Sequence, residues 1–174
     1  MNPEDIRALQ APLKARYEAD PQAAVVTLRA EGRLGEGLSC SVETGRALVK
    51  AGLHPATGGA GELACSGDML LQALVACAGV TLNAVATAMG IELRSGTLIA
   101  EGDLDFRGTL GVSKEAPVGF RSIRLTIRVD SSAPPESLAK LIELTERYCV
   151  VYQTLRGNPE LSVSLDAASP DGAG

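Results

Sequence analysis

Four residues carry a thiol: Cys40, Cys65, Cys77 and Cys149. The thiolate form of cysteine is a nucleophile and a soft metal ligand, so these positions hold the chain's clearest chemical potential. Their separations are long and irregular, unlike the close spacing of a small secreted domain framed by disulfides. No Cys-x-x-Cys pair occurs, and His54 is the only histidine, so a zinc site would lean almost wholly on scattered thiolates. The expectation is a cytoplasmic chain with reduced cysteines. Taken singly, Cys77 and Cys149 read as small buried hydrophobes, because free cysteine is among the most buried residue types. Their surroundings must argue for anything more.

Cys77 lies in the run MLLQALVACAGVTLNAVATAM, Met69 to Met89, which holds no charged side chain. Such a run would span roughly 30 Å as a helix, enough to cross a bilayer. It also holds Gln72, Thr81, Asn83 and Thr87, is rich in Ala and Gly, and is bounded by Asp68 and Glu92. No aromatic belt or basic cluster flanks it, so the reading is a buried helix of a globular domain and no membrane association. Ser66 is placed to cap it, Asp68 stands at the positive end of the dipole, and Gly90 ends it. Apolar residues occupy every side, so the helix needs cover all round. Ala73, Ala76, Ala78, Gly79, Ala84, Ala86 and Ala88 let other backbones come close, which suits the centre of a fold or of a homodimer.

The remaining segments supply that cover. Residues 4–19 predict an amphipathic helix interrupted at Pro12. The stretch AAVVTLRAEGRLGEGLSCSVET predicts a hairpin, and the glycine-rich stretch 45–61 a loop. GTLIAEGDLDFRG predicts a strand. In GFRSIRLTIRVD, Ile123, Leu125, Ile127 and Val129 alternate with polar residues, the pattern of a strand with one wet face. SSAPPESLAKLIELTERYC predicts a helix burying Leu138, Leu141, Ile142, Thr145 and Cys149, and ELSVSLD a last strand. Helices and antiparallel strands are segregated along the chain, which gives an α+β class in one domain.

Composition excludes other classes. The 174 residues are 45% apolar but only 3% aromatic, so the core must be aliphatic. A net charge of −5, with no basic cluster, argues against a nucleic-acid partner. The opening MNPEDIRALQ lacks the basic and apolar regions of an export signal.

Two stretches carry a resemblance. GDMLLQALVACAGVTLNAVA resembles the helix of the OsmC/Ohr family, the osmotically inducible and organic-hydroperoxide-resistance proteins, in which Ala-Cys follows a run such as Glu-Leu-Leu-Leu-Ala-Ala-Leu. RYCVVYQTL resembles the family's second motif, usually Cys-Pro-Val and then Thr-Leu, with Val150 standing where the family has Pro. The order of elements also matches. The resemblance assigns residues 23–166 to an OsmC-like domain, 1–22 to an N-terminal helical extension and 167–174 to a disordered tail. It implies antiparallel sheets around a long buried helix, in an intertwined homodimer.

The activity implied is that of a thiol peroxidase acting on organic hydroperoxides, with no cofactor beyond an external dithiol reductant. Cys77 would be the peroxidatic thiolate and Cys149 the resolving thiol. An apolar site raises a thiol's pKa, so a cation must offset it. The resemblance implies an arginine held by a carboxylate. AEGRLG nominates Arg33, with Arg29 and Arg46 as rivals, and Asp68 falls where many members have Glu. On one straight helix, however, nine residues place Asp68 and Cys77 on opposite sides, about 14 Å apart along the axis. Cys65 is an extra thiol of open role, and His54 reads as a loop residue. The competing functional reading is a non-enzymatic relative that binds an apolar small ligand. A helix-wrapped fold of the hot-dog thioesterase kind is disfavoured by the two cysteine motifs.

Overall fold

The computed structural model describes residues 3–34, 40–42, 51–62 and 64–165. Helix α1 (Pro3–Ala19) leads to a long strand β1 (Val25–Leu34) and a short return strand β2 (Cys40–Val42). Strands β3 (Ala51–Gly52) and β4 (Ala64–Cys65) flank the glycine-rich loop, and helix α2 follows (Ser66–Met89). Then come β5 (Ser95–Asp105), the one-turn helix α3 (Phe106–Thr109), β6 (Phe120–Asp130), α4 (Pro135–Tyr148) and α5 (Val150–Gly157).

The main sheet has the order β2-β1-β5-β6, antiparallel throughout. Alternation along β5 turns Leu98, Ala100 and Leu104 into the core, as a pleated strand requires. Against them pack Leu71, Leu74, Val75, Ala78, Leu82 and Ala86 of α2, all buried. Each leucine so covered contributes about 1.5–3 kcal/mol. Leu141 and Cys149 belong to the same buried cluster. The long apolar helix is thus a core element between sheet and helices, as its composition implied. The 66–88 segment is nonetheless long and apolar enough to cross a membrane.

Strand β6 is an edge strand that keeps its predicted alternation. Ile123, Leu125, Ile127 and Val129 are half-buried against the core, while Arg124, Thr126 and Arg128 are exposed. Gly102 on β5 has no side chain because Phe120 of β6 fills the space, with ring carbons 2.4 and 2.6 Å from where a Cβ would sit.

Four expectations are corrected. Pro12 does not interrupt the first helix, which runs unbroken through it. Leu13 and Tyr17, on the turns that follow, pack on the core, and that tertiary contact outweighs the lost hydrogen bond. Ser66 is the first residue of α2 rather than its cap, and Cys65 occupies the cap position without a side-chain bond. Cys149 is followed at once by a second helix, α5. The ELSVSLD segment forms no strand over its described part, residues 160–165. Leu161, Val163 and Leu165 are 88%, 99% and 91% exposed, and no strand among the described residues pairs with this segment.

Tyr17 ties the first helix to the glycine-rich loop. Tyr17 is 2% exposed, and its hydroxyl donates to the carbonyl of Ala56 at 2.6 Å. His54 closes the same loop: its Nδ1 accepts from the amide of Ala56 at 3.0 Å, and its ring stacks on Phe106 with centroids 5.0 Å apart. Tyr17→Phe keeps the ring and strands the Ala56 carbonyl. It should therefore cost about 1–3 kcal/mol of stability. A urea midpoint lowered with an unchanged slope is the expected result.

Candidate active site

Helix α2 holds Cys77 halfway along its length, beside the buried residues Val75 and Ala78. The second thiol arrives from a junction. Cys149 ends α4 and begins α5 with an extended backbone (φ −72°, ψ 108°), so one residue serves as both caps. Its amide closes α4 on the carbonyl of Thr145 at 2.9 Å, and its carbonyl opens α5 by accepting from Gln153 at 2.9 Å. Its Sγ accepts the amide hydrogen of Tyr152 at 3.5 Å, a weak sulfur cap. Cys149 is fully buried, while Cys77 is part-exposed.

The junction brings the two sulfurs together. Burial pushes the Cys77 thiol up, but four donors more than offset this and hold it below its ordinary value. They are the amides of Val151 and Val150, the side chain of Cys149 and the hydroxyl of Thr81. Cys149 moves the other way. Burial, with the negative charge and hydrogen bonding of Cys77 against it, pushes it up to about 11, despite the amides of Tyr152 and Val151. The environments drive two identical side chains apart, which makes Cys77 the more acidic of the two. A thiolate in hydrogen-bond contact with a thiol can attack an electrophile and then be captured by its neighbour. Sequence reasoning missed Thr81, although its place four residues after Cys77 puts both on one helix face.

Of the other nominated residues, Asp68 is placed by the helix itself. Asp68 is in the first turn of α2, and because the helix is continuous it lies about two and a half turns before Cys77. Burial raises its pKa, while His54 beside it lowers it. The backbone of Arg33 pairs with Thr97 of β5 and Ser41 of β2. The side chains of Arg33 and Arg29, and all of Arg46, lie outside the described residues. Cys65 and Cys77 are separated by about 18 Å of helix, so no disulfide can join them within a chain. Cys40 sits in β2, opposite Leu34.

A cavity of about 280 Å³ opens beside Cys149, walled by Ala78, Ile123, Leu125, Ile127, Ile142, Thr145, Glu146 and Tyr152. A second, of about 300 Å³, shares Ile123, Leu125 and Tyr152 and extends past Leu74, Phe120 and Leu155 to Arg121, Ser122 and Arg156. The half-covered face of β6 therefore forms a trough of mixed apolar and polar lining that reaches Cys149.

This arrangement sets a thiol on a buried helix beside a second thiol at a helix junction, on an α+β scaffold. The family model described as OsmC-like protein matches residues 59–164, which include both cysteines, and the chain belongs to that family. Two solved structures share the fold. An OsmC-like hydroperoxide resistance protein from Jannaschia sp. CCS1 is 17% identical over 85% of this chain and 96% of its own, with a TM-score of 0.57. An OsmC-like protein from Mycoplasma pneumoniae is 19% identical over 76% and 86%, with a TM-score of 0.54. No curated protein matches the chain.

The split between the thiols sets a pH order. A lowered thiol pKa means that the thiolate persists to lower pH, so Cys77 should be alkylated readily at pH 7. Cys149 in the folded protein should react only as the pH approaches its raised value near 11. Mass spectrometry of the iodoacetamide-treated protein, peptide by peptide, checks the order. Equal labelling of both at pH 7 in the folded protein contradicts it.

Proposed function

We propose that the protein is a thiol peroxidase that reduces organic hydroperoxides through Cys77 and Cys149. The observation that carries this is the contact between two thiols whose acidities are driven in opposite directions. In the first step the Cys77 thiolate attacks the terminal oxygen of R–O–OH. The O–O bond breaks, the alkoxide leaves and takes a proton to become the alcohol, and Cys77 becomes a sulfenic acid. In the second step the Cys149 sulfur attacks the sulfenic sulfur, and an S–S bond forms. The hydroxyl leaves as water with the proton that the Cys149 thiol retained. An external dithiol then reduces the disulfide and is itself oxidised to one. Resolution protects the protein, because a sulfenic acid left waiting is oxidised further and irreversibly. The hydroperoxide-resistance role of the Jannaschia protein supports the reading, as does the cavity beside Cys149, whose Ile123, Leu125, Ile127 and Ile142 suit an alkyl chain.

Peroxide consumption with a dithiol should be lost in Cys77→Ser. Cys149→Ser should complete one turnover and then accumulate sulfinic acid at Cys77. Peptide mapping after mild peroxide should find the Cys77–Cys149 disulfide within one chain. A parent protein that consumes no peroxide, yet binds alkyl ligands along the trough, would return the reading to an apolar-ligand binder.

The working unit in this reading is a homodimer. Met69, Leu70 and Val80 on α2 are 37%, 38% and 41% exposed, and the apolar residues of the 161–165 segment are almost wholly so. A second copy supplies the cover that one chain leaves incomplete. Sedimentation should show a dimer at micromolar concentration, and a stable folded monomer there is the contrary result. The part assigned to Arg33 and Asp68 is tested separately by Arg33→Met, which should slow alkylation and peroxide reduction together if the guanidinium reaches the sulfur.

A further inference from the structure

The trough differs in charge between its two ends. Beside Cys149 its wall includes Glu146, whose carboxylate accepts weakly from the Tyr152 hydroxyl at 3.4 Å. At the far end the wall includes two arginines, Arg121 of β6 and Arg156 of α5. Between the ends run Ile123 and Leu125, which both cavities share. An apolar channel with an acid at one end and two bases at the other has a direction.

Local structure brings each arginine to that end. Along β6, Ser122 stands opposite Asp103 and Phe120 opposite Leu104, so Arg121 is the extra residue of a β-bulge. Bulges re-aim side chains and gather beside functional sites. Arg156 stands in the last turn of α5, where a cation also suits the helix dipole. The dipole accounts for one positive charge there, but not for a second lining the same cavity. Among the described residues neither guanidinium has a hydrogen-bond or ion-pair partner, whereas Arg94, Arg107, Arg124 and Lys140 each have one. Arg121 acts on Asp105 through space, but Arg107 already holds that carboxylate, with Nε 3.0 and 3.1 Å from its two oxygens. Two like charges lining one cavity repel each other, and an anion between them turns that repulsion into attraction.

We propose that Arg121 and Arg156 form an anion site that holds the carboxylate of an alkyl ligand, whose chain lies along Ile123 and Leu125 toward Cys149. A guanidinium suits a carboxylate because it offers two parallel N–H donors to the two oxygens. Glu146 repels the carboxylate from the other end, so the ligand enters in one orientation. Arg156 lies seven residues along α5 from its cap, Cys149, about 10 Å of helical rise. An extended chain of about eight carbons covers that length. The ligand is therefore a medium-chain carboxylic acid. As a substrate it carries its hydroperoxide at the end remote from the carboxylate. That last step rests on the peroxidase reading, whereas the anion site does not.

Octanoate tests the site without turnover. In NMR titrations of the reduced protein at pH 7, octanoate should bind more tightly than 1-octanol and shift the amides of Arg121, Ile123, Leu125 and Arg156. Arg121→Gln and Arg156→Gln should each weaken octanoate binding about two- to fivefold, as expected for one exposed ion pair. The double Gln variant should approach the affinity for octanol. Arg121→Lys and Arg156→Lys, which keep the charge but lose the fork, should recover part of the loss. Octyl sulfate, with the same charge on a different head, should bind less tightly than octanoate, and the reverse order overturns the choice of a carboxylate. Equal affinity for octanoate and octanol overturns the site itself, as does parent-like octanoate binding in the double Gln variant.

Turnover tests what the site selects. The ω-hydroperoxide of octanoic acid should be reduced with a higher kcat/KM than that of its methyl ester, the difference lying mainly in KM. The double Gln variant should shrink that preference, and so should raised salt. Peroxide reduction with no preference for the acid overturns the assigned specificity and leaves the peroxidase reading standing. If octanoate binds as stated and the parent reduces no hydroperoxide, the anion site stands and the peroxidase reading falls.

Discussion

The contact between the sulfur of Cys77 and the start of α5 is the interaction on which the rest of the site depends. A thiol in the middle of an apolar helix would ordinarily stay protonated, because desolvation penalises the thiolate. Two backbone amides, a thiol and a hydroxyl reverse that outcome here. Three of these four donors come from the α4–α5 junction, so the reactivity of a residue on α2 is set by another part of the chain.

That constraint explains the apolar character of α2. A buried side-chain cation beside Cys77 would itself need desolvating and pairing. Amide dipoles bring partial charge without that requirement, so α2 can remain free of charged residues from Met69 to Met89 and still hold a thiol of lowered pKa. The small residues of α2 belong to the same solution. Ala78, Gly79 and Ala86 are buried, and α2 packs against β1, β5, α4 and α5. The sheet contributes through β5, whose inward face seats the helix, and through β6, whose half-covered face forms the trough.

Position 150 links this geometry to the motif. The resemblance to the second OsmC/Ohr motif has one conspicuous departure there, Val for Pro. Proline at that place has no amide hydrogen to give, whereas valine does, and Val150 lies close enough to Cys77 to help lower its pKa. The loop at the far end of α2 has a different role. His54, Phe106, Ala56 and Tyr17 lock the glycine-rich segment to α1 and α3. His54 thus has a structural part, as a loop residue.

The sequence by itself determined a good deal. The charge-free run with its small residues specified a central buried helix, because every face of it loses free energy in water. The period of two in β6 set an edge-of-core strand, and the paired motifs named Cys77 and Cys149. Local pattern failed where tertiary contacts outweigh it. Pro12 reads as a break, but Leu13 and Tyr17 carry α1 through it. The alternation of Leu161, Val163 and Leu165 reads as a strand, but alternation describes a strand only where an edge exists to receive it. The helix beginning at Val150 was hidden, since the turn at Cys149 is made by a residue type with no signal for turning. Activation was the least legible feature. Sequence reasoning sought a charged side chain and chose Arg33 and Asp68, because side chains are what a sequence displays. The described groups that lower the Cys77 pKa include main-chain amides, which every residue but proline possesses, and only the packing of α5 against α2 brings them near the sulfur.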